Sequence, residues 1–318
     1  MTPPAPTASL AAPHPGAGLN RRAALASIAM ASLLVGLKGW AVVVTGSTAM
    51  LGSLADTMLD LVSSLATLAG VWIAGRPSDH NHRFGHGKAE ALSALFQVVL
   101  ISISALLLGA HAVQHLFGGT VLGEVRDGIV VSGLAIAGTL ALLAYQRHVL
   151  ARSRSVAIAT DHMHYQADLA LNVAVIVALV LEQQVGLRGA DPVFGLGIAL
   201  WLGWGAWGAS QAAIEQLMDQ EWPEDKKLRF IEVVARHPEL RGLHDLRTRT
   251  SGNRDFVQFH MWVDPQMSVA HAHKVMDEIE AKLHAEFPDL EILIHPDPEG
   301  HVDEHGEAAE DVLATGHV

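Results

Sequence analysis

The chain has no cysteine at all among its 318 residues. That excludes disulfides and thiolate ligands, so any metal site must be built from imidazole and carboxylate, which favours zinc or another divalent first-row ion over copper(I). Charge is also scarce: 17% of residues are charged, half are hydrophobic, and the mean hydropathy is +0.28. A soluble enzyme of this length is normally more charged, so the composition describes an integral membrane protein with an appended polar part. Basic residues are too few for a nucleic-acid partner. With 21 Lys and Arg against 33 Asp and Glu, the net charge is -12, and no basic face is left to displace counterions from phosphates. The His-Glu-x-x-His signature of a metallohydrolase is missing too, which disfavours a membrane hydrolase needing a general base beside its metal. What the chain has in quantity is histidine, 19 of them.

Residues 1–20 are rich in Pro, Ala and Gly and read as a disordered lead rather than a signal peptide. Six apolar stretches follow, at 23–44, 48–73, 89–117, 128–144, 156–181 and 192–217. Each approaches or exceeds the ~20 residues that cross a hydrocarbon core. Lys38, inside the first, reads as snorkelling toward an interface, with a polar partner inside the bundle as the alternative. Arg21, Arg22, Arg76, Arg83, Lys88, Arg147, Arg152 and Arg154 gather at one side's segment ends, against only Arg126 and Arg188 at the other. The positive-inside rule then makes both termini cytoplasmic in a multi-pass protein of the inner membrane.

Beyond the membrane domain, 21–219, the order at 220–298 reads α-β-β-α-β. The helix begins at Trp222-Pro223-Glu224-Asp225, and the strands are 245–250, 255–263 and 290–295, with a second helix at 269–287. Such a small sheet, with helices on one face, lies near the lower size limit and gains stability from dimerisation. Residues 299–318 read as a mobile acidic tail.

The second stretch carries two charges that crossing a bilayer does not need. Asp56 and Asp60 are four apart, on one helix face, and each ionised group inside the membrane costs at least ~2.5–3.5 kcal/mol on insertion scales. The fifth stretch repeats the spacing with His164 and Asp168. If these faces meet, three carboxylates and an imidazole supply the four ligands that a tetrahedral ion such as zinc accepts. Asp161 and His162, one turn earlier, are expected at the cytoplasmic mouth. In the loop after the second stretch, Asp79, His82 and His86 read by spacing alone either as a solvated turn or as a metal site. His111, His115, His148 and His237 read as ordinary packed or surface residues.

The pairs Asp56-x3-Asp60 and His164-x3-Asp168, the run His82-Arg83-Phe84-Gly85-His86-Gly87-Lys88-Ala89-Glu90 and the run His244-Asp245-Leu246-Arg247-Thr248-Arg249 resemble the cation diffusion facilitator family, in its bacterial zinc and ferrous-iron efflux branch. The resemblance spans residues 21–298. It implies a homodimer of six-helix protomers exchanging a divalent metal for protons, with a metallochaperone-like cytoplasmic domain. It also implies a transport site of Asp56, Asp60, His164 and Asp168, and a loop site of Asp79, His82 and His86. Cytoplasmic sites are implied at His244, His260, His273, His295 and Asp297, and an interprotomer charge lock at Lys88 and Asp219. Ligand type leaves the ion open among zinc, iron(II), cadmium, cobalt and manganese. A cation channel built on the same carboxylates is the remaining rival, set apart by leak without proton coupling.

Overall fold

The structure is a computed structural model, and it describes residues 15–45, 48–118, 129–180 and 190–300. The chain divides into two units, Met1–Ile214 and Glu215–Val318. The tail expected at 299–318 lies outside the described residues from 301 onward, as does the lead before 15.

Among the described residues, six long helices build the first unit, the last ending just past its boundary: α1 (Pro15–Thr45), α2 (Thr48–Ala74), α3 (Ala89–Gly118), α4 (Ile129–Leu150), α5 (Val156–Val180) and α6 (Ala190–Leu217). Among the described residues, four stretches are long and apolar enough to cross a membrane: Gly18–Val44, Ser53–Ala74, Ala89–Phe117 and Pro192–Leu217. Large apolar side chains point away from the bundle, with Val43, Leu106 and Trp204 among the most exposed, which is the surface lipid calls for. The interior is rich in small residues. Ala23, Ala24 and Ala157 pack with Val71, Val149 and Ile158, and Ala105, Ala167 and Ala206 with Ile101 and Leu202. Small side chains let backbones approach, as they do between helices in lipid. At Gly70 the approach is close: a Cβ there would lie 2.4 Å from the Cβ of Ser93, whose hydroxyl donates to the Ala66 carbonyl at 2.7 Å.

α1 begins at Pro15, inside the stretch expected to be a disordered lead. Proline is tolerated in a first helical turn, and Asn20 in the next is fully buried, its amide donating to Glu90 at 3.4 Å. α4 also runs past its expected end at 144 to Leu150, because Gln146 and Val149 are buried rather than flanking an interface. Lys38 takes the alternative reading: its Nζ donates to Thr57 Oγ1 at 2.6 Å and to the Ser53 carbonyl at 3.3 Å, clipping α1 to α2 from within.

The second unit contains α7 (Glu224–Ala235), β1 (Gly242–Ser251), β2 (Arg254–Val263), α8 (Val269–Glu286) and β3 (Leu290–Pro298). The sheet order is β1-β2-β3, with β1 antiparallel and β3 parallel to β2. Gly252, at φ 61°, supplies the turn between the first two strands. A parallel partner requires a crossover, and α8 is that crossover. Its start is capped by Ser268, which accepts from the His271 N–H at 3.2 Å. Both helices bury Phe230, Val234, Val275, Ile279 and Leu283 with Val257, Phe259 and Met261 of β2 in one core. The residue between the last two, His260, therefore faces away from that core.

Candidate functional site

On α2 and α5 the ionisable residues converge inside the apolar bundle. His164 Nε2 lies 3.0 Å from Asp60 Oδ1 and 3.8 Å from Asp168 Oδ2, and ligand atoms of all three residues fall within 4.8 Å of one another. Asp60 and Asp168 are one-fifth and one-third exposed, while His164 is buried. The i, i+4 spacing of His164 and Asp168 brings them to one face of α5, and the packing of α5 on α2 brings that face to Asp60. Asp56 is not in this group. It stands one turn along the same stripe of α2, exposed, and lines a cavity of about 760 Å³ that also holds Lys38, Asp60, His164, Asp168 and Asn172. A helical turn rises 5.4 Å, so stacked carboxylates share one ion only if both side chains reach toward it.

Asp161 departs from the mouth position expected of it. The residue is fully buried, and its carboxylate accepts from Ser27 Oγ at 2.6 Å, Gln146 Nε2 at 2.8 Å and Thr67 Oγ1 at 3.3 Å. It thereby joins α1, α2, α4 and α5. His162 Nδ1 lies 3.1 Å from the other end of Gln146. Tyr165, buried beside them, pairs with the Ser64 hydroxyl at 3.0 Å and donates to the Ser27 carbonyl at 3.2 Å. Among sequence signals, only Ser27 and Thr67, polar residues inside apolar stretches, hinted at this network, since Gln146 lay past the expected end of the fourth stretch.

In the loop between α2 and α3, Asp79 receives the backbone N–H groups of Asn81 and His82 at 2.9 and 2.7 Å. The His82 N–H is the main reason its carboxyl is held below the ordinary carboxylate range. The Asp79 oxygens then meet His82 Nδ1 at 3.1 Å and His86 Nε2 at 3.3 Å, and the two imidazole rings lie 4.4 Å apart. Gly85, at φ 82°, turns the backbone so that both rings return to one carboxylate.

In the second unit, strand register makes a row. His244 is paired with His260 across β1 and β2, and His260 with His295 across β2 and β3, so all three project from one face. Asp297, two residues beyond His295, joins that face. Its carboxylate lies 2.8 Å from His260 Nδ1, 3.2 Å from His244 Nε2 and 3.1 Å from His295 Nε2. Burial pushes His244 below its ordinary 6.5, which keeps its ring neutral and able to ligate. Just after it, a bulge between His244 and Arg247 puts Asp245 at φ 47° and its carboxylate 3.7 Å from His260. His273 does not join the row. It is exposed on α8, 4.0 Å from Asp277, because the opposite stripe of α8, through Val275 and Ile279, is the one on the sheet. Asp219, at φ 57°, lies 3.5 Å from Arg249 within the second unit, while Lys88 belongs to the first.

Residues 24–218 match the model of the cation efflux transmembrane domain, and residues 222–299 that of the cytoplasmic domain of cation efflux proteins. The cation-efflux pump FieF of Escherichia fergusonii is 39% identical over 280 residues, covering 88% of this chain and 93% of the relative. FieF of Cronobacter sakazakii is 39% identical over 285 residues, at 90% and 95%. Among solved structures, the metal-bound C-terminal domain of the CzcD transporter from Thermotoga maritima is 27% identical, covering 26% of this chain and 99% of that one, with a TM-score of 0.24. Matched by both family domains and along nearly the whole length of these pumps, the chain belongs to the cation efflux, or cation diffusion facilitator, family, and is a membrane transporter rather than an enzyme.

Proposed function

We propose that the protein exports divalent metal cations, zinc foremost, from the cytoplasm in exchange for protons, as an inner-membrane homodimer with both termini cytoplasmic. The observation that carries this reading is the meeting of Asp60, His164 and Asp168 across α2 and α5, within 4.8 Å of one another. Carboxylates inside a membrane bundle are costly, and a doubly charged ion offsets that cost. Asp56 is assigned as the fourth ligand, reached by rotating its side chain within the shared cavity.

Ligands must be free of protons to hold a metal, so loading and emptying the site move protons the other way. Facing the cytoplasm, the deprotonated carboxylates and the neutral imidazole capture the ion. When the bundle rocks outward, protons taken up at the Asp oxygens and His164 Nε2 displace it. Metal at His244, His260, His295 and Asp297 biases the C-terminal domains of the dimer toward one arrangement, by binding that arrangement more tightly. The Asp79, His82 and His86 loop is assigned a further metal, and Lys88 with Asp219 a charge lock between protomers.

Zinc flux into everted vesicles tests the central site. Asp60→Ala and Asp168→Ala are expected to abolish uptake, and a proton-sensitive dye should report a fixed metal-to-proton ratio in the parent protein. Normal uptake by either variant, or zinc leak without proton movement, removes this reading.

A further inference from the structure

The cavity around the central site continues past it. Its wall includes His111 and Gln114 of α3 as well as Asp56 and Lys38. At 1.5 Å per residue, His111 lies about 33 Å along α3 from its start beside the loop, whereas Asp60 lies about 21 Å along α2 from the same loop. His111 thus stands about 12 Å nearer the far face than the central carboxylate. His115 follows one turn later, and the two imidazoles lie 4.2 Å apart, centroid to centroid. Neither ring has a hydrogen-bond partner among the described residues, and positions i, i+3 and i+4 place His111, Gln114 and His115 on one helix face.

Two histidines at i, i+4 are the spacing by which a helix presents two imidazoles to one divalent ion. An unpaired histidine in an apolar helix is otherwise costly, and here His111 lines the cavity that also holds the carboxylates, with the His115 ring beside it. We propose that His111 and His115, with Gln114 beside them, form a second divalent-cation subsite, a station for the cargo between the central site and the far face. The proposal rests on the export reading above. Two imidazoles and water hold an ion less tightly than the central ligands do, which suits transit: an ion must enter readily and leave readily.

The test uses the full-length protein in liposomes with zinc as the ion. His111→Gln with His115→Gln should lower the efflux rate severalfold with the loading-side KM little changed. Inhibition by zinc added on the receiving side should require about tenfold more metal, the loss typical of removing support from a metal site. His111→Cys with His115→Cys, which keeps two ligands, should retain that inhibition. Unchanged efflux rate and inhibition in the glutamine pair, or lost inhibition in the cysteine pair, would overturn the subsite. Asp60→Ala is run in parallel: silent transport there with an unaffected glutamine pair rejects the subsite alone, whereas normal transport in Asp60→Ala rejects the export reading itself.

Discussion

Three neutral donors, Ser27, Thr67 and Gln146, close around the Asp161 carboxylate at 2.6 to 3.3 Å, and their hydrogen bonds tie four helices together. Asp161→Ala removes the acceptor the three share, leaving Ser27 and Thr67 only carbonyls of their own helices and the Gln146 nitrogen only the Ser27 hydroxyl. Each interhelical hydrogen bond lost costs roughly 0.5–1.5 kcal/mol. Asp161→Asn should be milder, since its amide oxygen still accepts and its nitrogen can face Thr67 Oγ1. Thermal unfolding in detergent micelles should rank the alanine variant well below the asparagine one. A different consequence attaches to His244, whose folded value is pushed below 6.5 by burial. Below 6.5 the unfolded chain binds its proton more readily than the folded one. The stability this group contributes is therefore present above pH 6.5 and lost as pH falls through the folded value. Histidine NMR of the C-terminal domain should give His244 a midpoint under 6.5. At this scale the sequence was legible in the His164 and Asp168 pair, which the structure brings to Asp60, and not in Asp56, which stays outside that group. Asp161 escaped because a polar residue near a helix start looks the same whether it meets water or three buried donors. His273 stands apart from the strand row within one chain because its helix face follows from the packing of Val275 and Ile279, not from its own identity.

Apolar runs announced the helices, and alternation announced the strands, because those periods are set by backbone geometry. Ends were another matter. β3 was expected to stop at 295, before Pro296 and Pro298, yet it pairs with β2 as far as Pro298. An edge strand can leave the proline nitrogen facing outward, so the breaker does not break it. The α2–α3 contact leads to an expectation of its own. Gly70→Val would drive methyl groups into Ser93 and the Ala89 carbonyl, already 2.4 and 3.1 Å from an added Cβ. Overpacking of this kind typically costs about 1–3 kcal/mol, so purified Gly70→Val should melt at lower temperature in detergent. Phe230→Ala should remove the ring fully buried beside Phe259, at about 3–5 kcal/mol. In so small a domain that loss should abolish the cooperative unfolding transition seen by circular dichroism.

Over the whole molecule, two units with different solvents share one chain, and composition alone separated them because lipid and water select opposite surfaces. The C-terminal domain has its own apolar core around Phe230 and Phe259, so residues 220–298 produced alone should fold. Zinc at a hundred times its dissociation constant should then stabilise that fragment by about 2.7 kcal/mol. His260→Ala with His295→Ala should remove the zinc-dependent rise in melting temperature without unfolding the apo fragment. The position of Asp297 sets a timetable as well. Its carboxylate gathers imidazoles from β1, β2 and β3, yet it sits at the end of the strand that is synthesised last. A ribosome extending this polypeptide cannot assemble this histidine row early: His244 and His260 wait for His295 and Asp297 until the third strand has paired with the second.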